Sequence, residues 1–207
     1  MPTGPCAGSA GSHGSFESGI ILNARLTSKW IALFYRAATG TKSVRTLLTP
    51  VGAGIFMVFI VALILVSVQL DRWLHFPAFI SCPWHWVLSL PLAGIGFLLA
   101  GWSVQHFLKA RGTPVPFNPP PRVVQTGPYA HTRNPMLSGV FCLMFGLGVL
   151  LGSISLVCIV TPLFIMITAW ELKAIEEPEL EKRLGESYRA YRQKTPMFIP
   201  RLRIRKK

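Results

Sequence analysis

The sequence predicts an all-α protein: a multi-pass bundle of about four transmembrane helices with a C-terminal amphipathic helix. Of its 207 residues, 51% are hydrophobic and 14% are charged, whereas about 25% of residues are charged in ordinary soluble domains. Several apolar stretches reach the roughly 20 residues that a helix needs to cross a bilayer. The basic residues fall almost entirely outside those stretches. Together these observations indicate an integral membrane protein.

Three apolar stretches define the predicted spans: residues 51–70, 84–107 and 136–170. The third is about twice the length of a single crossing, so it should form two rather short helices. Gly152 and Ser153 lie near its midpoint and provide a tight reversal. This division gives four spans.

The distribution of lysine and arginine predicts the orientation. Twenty of the 21 basic residues lie before the first span, between the second and third, or after the fourth, and only Arg72 lies in the other compartment. Because basic residues concentrate in cytoplasmic loops, both termini should be cytoplasmic. The net charge of +13 does not indicate nucleic-acid binding, since the basic residues flank apolar runs and do not alternate with exposed aromatic side chains.

The remaining segments differ in composition. Residues 1–20 are rich in Gly and Ser and should be a disordered tail. Residues 21–50 mix aromatic and basic side chains, which suits a helix lying in the interface, although residues 20–48 could instead form a fifth span. The membrane domain is then 51–201, and the basic tail 202–207 should be attracted to anionic lipid.

Beyond the last span the sequence becomes charged. Leu180, Leu184, Tyr188 and Tyr191 recur there at helical spacing. This pattern predicts an amphipathic cytoplasmic helix that packs against the membrane unit.

Two groups of polar residues could carry chemistry at the cytoplasmic ends of the spans. Arg133 stands at the entrance of the third span, after a proline-rich loop, and could clamp an anionic ligand or contact lipid phosphates. Glu176 and Glu177 follow the fourth span, where paired carboxylates are costly unless they bind a cation or polar ligand. A solvated acidic helix start would explain that pair equally well.

Two sequence blocks carry a resemblance to a known family. The block GPYAHTRNPMLSG, followed about 40 residues later by EEPELEKRLGESYRAYRQKTPMFIPR, resembles the isoprenylcysteine carboxyl methyltransferase family and its bacterial and phospholipid N-methyltransferase relatives. The resemblance covers roughly residues 94–201. It implies an integral membrane methyltransferase that uses S-adenosylmethionine and methylates a lipidic acceptor, either a carboxylate or an amine.

The resemblance also implies site residues. Arg133, Glu176 and Glu177 would be catalytic, and Lys173 would contact the substrate. An amine acceptor would need a base, either a Glu or His131, whereas a carboxylate would need none. The implied cofactor pocket consists of Pro121, Arg122, Val123, Val124, Tyr129, Asn134, Pro135, Met136, Leu137 and Glu176.

The chain departs from the eukaryotic members of that family at three places. Asn134 replaces a His, Leu137 replaces a Tyr, and Lys173 lies near the place of a substrate-contacting Arg. These departures weaken the case for a prenylated-cysteine carboxylate as the acceptor. The motif Gly94-Ile95-Gly96 resembles a GxG element of the phospholipid branch, but within an apolar helix it also suits helix packing.

Two other functional classes compete with the methyltransferase. A membrane reductase that uses NAD(P)H shares a related C-terminal architecture, but such chains have about ten spans. A non-catalytic membrane scaffold would leave the two matched blocks unexplained. The sequence shows no cluster of residues with metal-ligand spacing, and it makes no prediction about the oligomeric state.

Overall fold

The computed structural model describes residues 42–77, 84–110 and 122–199. Within these ranges the regular secondary structure is helical and no β-strand occurs, which confirms the predicted all-α class. A short 3₁₀ turn, Gly127–Ala130, precedes the third helix. The helices are α1 (Lys42–Leu74), α2 (Trp84–Lys109), α3 (Pro135–Leu151), α4 (Leu156–Leu184) and α5 (Glu186–Lys194).

Three of these helices are long and apolar enough to cross a membrane: the segment Pro50–Leu74 of α1, then α2 and α4. Helix α3 is apolar but has only 17 residues, which corresponds to about 25 Å, against a hydrocarbon core of about 30 Å. The membrane class is therefore supported by three helices, and a fourth crossing by α3 stays a prediction. The possible fifth span, residues 20–48, also stays a prediction, because residues 20–41 lie outside the described residues.

The predicted reversal between the two halves of the third apolar stretch is confirmed. Helix α3 ends at Gly152, whose φ of 64° lies in the left-handed region that glycine adopts without strain. The amide of Ser153 then donates to the carbonyl of Gly148 at 2.8 Å. The chain turns back at once and begins α4.

A carboxylate from α1 holds this reversal. Asp71 accepts hydrogen bonds from the Ser153 hydroxyl and, at 2.8 Å, from the Ser155 amide. The Ser153 hydroxyl oxygen in turn accepts the Leu156 amide at 3.1 Å. These contacts satisfy amides that have no partner within the helix at its N-terminus. Asp71 thereby ties α1 to the α3–α4 turn, a role that the sequence analysis did not assign.

Helices α2 and α3 form the most extensive contact in the bundle, and glycines make it close. A Cβ atom on Gly96 would lie 2.6 Å from the carbonyl oxygen of Gly139, and one on Gly146 would lie 2.8 Å from the amide of Ala93. Such approach of backbones is typical of small residues in membrane helix pairs. Of the Gly94-Ile95-Gly96 motif, Gly96 is thus a packing residue, while a Cβ on Gly94 would meet nothing within 4 Å.

The buried apolar cluster lies between α1, α3 and α4 and includes Ile60, Phe141, Met144, Leu156 and Phe164. The rings of Phe141 and Phe164 meet edge to face with centroids 5.6 Å apart. Most of the segment Pro50–Leu74 outside this contact is exposed and apolar, since only 6% of its most hydrophobic window is buried. That surface suits contact with lipid.

The C-terminal region differs from the prediction in one respect. The expected single amphipathic helix is broken at Gly185, where φ is 59° and ψ is −137°, a conformation that favours glycine. Helix α4 therefore ends at Leu184, and α5 starts in a new direction. Tyr188 and Tyr191 are buried on α5, so the predicted packing against the membrane unit is found, with two helices in place of one.

Candidate functional site

Arg133 and Glu177 form the central contact at the end of the bundle where α3 begins and α4 leaves the apolar region. The Arg133 Nη1 atom lies 2.5 Å from Glu177 Oε1, and both side chains are only 12% exposed. The guanidinium also hydrogen-bonds the Tyr188 side chain. An ion pair with so little exposure adds little net stability because its charges lose their hydration, but it fixes the geometry of both partners. Two residues predicted to be catalytic, 44 positions apart, are thus in direct contact.

Glu177 also receives a second cation, from α5. Arg192 Nη1 lies 3.4 Å from Glu177 Oε2 and 2.5 Å from Glu181 Oε1. The carboxylate of Glu177 is therefore held from both sides, by Arg133 ahead of α3 and by Arg192 of α5. This arrangement orients α5 across the end of the bundle.

Tyr129 lies in the 3₁₀ turn between α2 and α3 and is 5% exposed. Its ring packs on Phe107 with centroids 4.8 Å apart, and its hydroxyl hydrogen-bonds Ser103 of α2. The Tyr191 hydroxyl donates to the carbonyl of Tyr129 at 2.7 Å. Tyr129 thus joins α2, the turn and α5.

Tyrosine is neutral at pH 7, and burial moves the pKa of these three side chains further above that pH. Burial raises the pKa of Tyr129, Tyr188 and Tyr191 above the usual value near 10, and that of Tyr188 to about 12. Repulsion from the Glu177 carboxylate adds to the increase at Tyr188, and the Arg133 guanidinium opposes it. Their hydroxyls therefore act as hydrogen-bonding groups at neutral pH.

Residues 196–198, which we call the strap, run alongside the start of α3. The amides of Arg133 and Asn134 donate to the carbonyls of Pro196 and Met197 at 2.8 and 3.1 Å. The Ser138 hydroxyl donates to the Phe198 carbonyl at 3.3 Å. The strap satisfies amides before α3 and fixes the backbone of two predicted site residues. Sequence reasoning missed the strap, although TPMFIPR within the second matched block was its signal.

Glu176 closes a π-helical turn, Leu172–Glu176, in α4. Such turns are frequent at functional sites because they rotate the following residues relative to a regular α-helix. The half-buried carboxylate is repelled by Glu171, Glu177 and Glu179, and Arg183 provides the opposing attraction. Repulsion exceeds attraction at Glu176, although Glu177 and Glu179 are each also paired with an arginine, and a cationic ligand would relieve that repulsion.

The other predicted site residues are placed as follows. Pro135 is buried at the first turn of α3, whereas Lys173 and Arg122 are exposed. The partly buried members are Val123, Val124, Asn134, Met136 and Leu137. Pro121 lies outside the described residues. The structure thus joins Arg133 to Glu177 directly and brings Tyr129 near Glu176, while Lys173 points to solvent or lipid.

One comparison with known proteins shows the family of this chain. The family model described as phospholipid methyltransferase matches residues 84–187, half of the chain, from the start of α2 into α5. No curated protein and no solved structure matches the chain significantly. Within the described residues, no group of three or more His, Cys, Asp or Glu side chains is arranged to hold a metal ion. The matched range contains the α2–α3 pair, the Arg133–Glu177 contact and the π-turn, and the chain belongs to the phospholipid methyltransferase family.

Proposed function

We propose that this protein transfers a methyl group from S-adenosylmethionine to a lipidic acceptor at the cytoplasmic face of the membrane. The family membership supports a methyltransferase with a lipid acceptor. The observation that carries the finer proposal is the Arg133–Glu177 pair beside Glu176 and Tyr129, all at one end of the bundle.

The residues at this end fit S-adenosylmethionine, which has a sulfonium and an amino group as cations and a carboxylate and hydroxyls as acceptors. The Arg133 Nε and the Thr132 hydroxyl are buried and have no hydrogen-bond partner among the described residues. Buried polar atoms in this state favour a ligand that supplies partners. The repulsion of Glu176 by its neighbouring carboxylates suits the cationic groups, which would relieve it.

The proposed roles follow from these positions. When bound, S-adenosylmethionine supplies an activated methyl group that a nucleophile can take by direct displacement. Arg133, oriented by Glu177, would hold the carboxylate of the ligand through its Nε donor. Glu176 would hold the amino group. Tyr129 and the strap would form a rigid wall that excludes water and keeps the ligand in line with the acceptor.

The acceptor would approach from the bilayer. Lys173 is exposed next to the apolar part of α4, which suits contact with a lipid phosphate. Both a carboxylate and an amine acceptor fit this geometry, and the acidic surroundings favour an amine, which is cationic before it loses a proton. The cytoplasmic orientation is supported by the basic residues that flank the spans at this end.

Binding of S-adenosylhomocysteine, the product form of the cofactor, tests the proposal. We would measure it by calorimetry on the detergent-purified protein, with NADPH as a competing probe. We expect the wild type to bind S-adenosylhomocysteine and not NADPH. Glu176→Gln should weaken binding about tenfold or more, the factor expected for loss of one charge-assisted hydrogen bond.

The matched control is Glu186→Gln, which makes the same chemical change at a side chain that is 83% exposed. It should bind like the wild type, and thermal unfolding should show that both variants are folded. A folded wild type that fails to bind S-adenosylhomocysteine would refute the proposed function. Equal binding by Glu176→Gln and Glu186→Gln would refute the role of Glu176.

A further inference from the structure

Helix α2 has an open apolar groove on a flank that does not face α3. It is lined by Ile95, Leu98, Leu99 and Trp102 and has a volume of about 420 Å³. All four side chains are hydrocarbon or aromatic, and the groove lies within a candidate membrane span. None of the predicted cofactor residues that the structure describes lines it. The groove therefore suits an apolar ligand drawn from the bilayer.

The groove lies on a row of side chains along α2, which we call the stripe, and the length of this stripe matches one leaflet. Ile95, Leu99, Trp102 and His106 follow one another at helical spacing along the same side of α2. From Ile95 to His106 the helix rises about 16 Å, close to half of the roughly 30 Å hydrocarbon core. His106 would thus lie near the boundary between acyl chains and head groups, with the groove extending from it toward the bilayer centre.

The stripe leads to the candidate site. The Trp102 and His106 rings meet edge to face, with centroids 5.7 Å apart. Nδ1 of His106 lies 3.0 Å from the Trp102 carbonyl oxygen, and since a carbonyl only accepts, this nitrogen carries the proton. The opposite edge of the ring packs on Gly127, so closely that a Cβ there would lie 2.3 Å from Nε2. Gly127 begins the 3₁₀ turn that contains Tyr129.

We propose that this groove binds an acyl chain of the phospholipid that accepts the methyl group, with the head group held past His106 beside the 3₁₀ turn. The inference rests on the proposed function and specifies how the acceptor is recognised. Three features favour an acyl chain over a water-soluble acceptor. The lining is apolar, the stripe has the length of one leaflet, and it continues to the turn that contains Tyr129. Among the residues that the structure describes, other exposed apolar surfaces, such as the outer face of α1, have no such connection to the site.

Photo-crosslinking tests the groove without requiring turnover. The full-length protein in lipid nanodiscs would be labelled with a phospholipid that carries a diazirine within its acyl chain, and the labelled residues mapped by mass spectrometry. Phe97 is the internal control, because it is 70% exposed on the same helix at a similar depth but outside the groove. We expect labelling to concentrate on Ile95, Leu98 and Trp102 and to decrease when unlabelled phospholipid is added. Equal labelling of Phe97 would overturn the inference.

Kinetics connect the groove to the acceptor. Leu98→Trp would fill the groove and should raise KM for a long-chain phospholipid about fivefold, equivalent to losing contact with one or two methylene groups. It should leave kcat, and KM for a short-chain analogue, unchanged. Phe97→Trp is the matched control and should behave like the wild type.

The outcomes separate the two proposals. If Leu98→Trp and Phe97→Trp change KM for the long-chain phospholipid equally, the groove assignment is overturned and the proposed function is unaffected. Localised labelling in a folded protein that binds no S-adenosylhomocysteine and methylates no phospholipid would overturn the acceptor assignment together with the proposed function.

Discussion

The close approach of α2 and α3 at Gly96 makes a quantitative prediction. In Gly96→Ala the new methyl group would lie 2.6 Å from the Gly139 carbonyl oxygen and 2.7 Å from the Leu143 amide nitrogen, whereas ordinary contacts begin near 3.4 Å. Both neighbours are backbone atoms, so the helices must separate by about 0.8 Å. Overpacking of this kind costs about 1–3 kcal/mol, because it weakens dispersion contacts along the interface.

Gly94→Ala is the matched control, since a Cβ there would meet nothing within 4 Å. Both substitutions gain about 1 kcal/mol of intrinsic helix preference, so the difference between the two variants isolates the steric cost. We expect Gly96→Ala to be less stable than Gly94→Ala by about 1–3 kcal/mol.

The assay is reversible unfolding in detergent micelles, with the free energy of unfolding of each variant compared with that of the wild type. Gly139→Ala should behave like Gly96→Ala, because its Cβ would lie 2.7 Å from the Gly96 carbonyl oxygen. Equal stability of Gly96→Ala and Gly94→Ala would refute the close packing of these helices.

Two further predictions concern the ends of the bundle. Asp71→Ala removes the acceptor of the Ser155 amide and should lower the free energy of unfolding by about 1–3 kcal/mol. The loss should be smaller in Asp71→Asn. If Asp71→Ala unfolds in detergent with the stability of the wild type, Asp71 does not have this role. At the other end, burial raises the pKa of Tyr188 to about 12, so its contribution to stability is fully present below the unfolded pKa near 10 and is lost as pH rises through about 12. The Tm should fall across this window, and less steeply in Tyr188→Phe, whereas a Tm that stays flat in the wild type would contradict the prediction.

Much of the architecture could be predicted from the sequence because it depends on local properties. Hydropathy over about 20 residues identifies a membrane helix whatever it packs against, and α2 occupies Trp84–Lys109, close to the predicted 84–107. The reversal at Gly152 followed from the length of one apolar stretch and the freedom of glycine to adopt positive φ. The two matched blocks likewise lie within continuous segments. They indicated the family to which the phospholipid methyltransferase model assigns the chain.

Contacts between distant residues could not be predicted in this way. The sequence singled out Arg133 and Glu177 separately, with an alternative explanation for each, and only the folded chain brings them to 2.5 Å. The break at Gly185 was missed because Tyr188 and Tyr191 keep a helical spacing with the leucines before them, and periodicity does not record a change of direction.

The same reason explains the contacts that position the site. The strap, the Asp71 carboxylate and the Gly96–Gly139 contact each join segments more than 40 residues apart. Their formation depends on how the helices lie against one another, and no local pattern encodes that. By itself the sequence determined that the chain enters a membrane, where it turns and which family it resembles, because hydropathy, glycine conformation and motifs are local. The tertiary structure decided which side chains meet, because burial, close packing and ion pairing depend on the whole bundle.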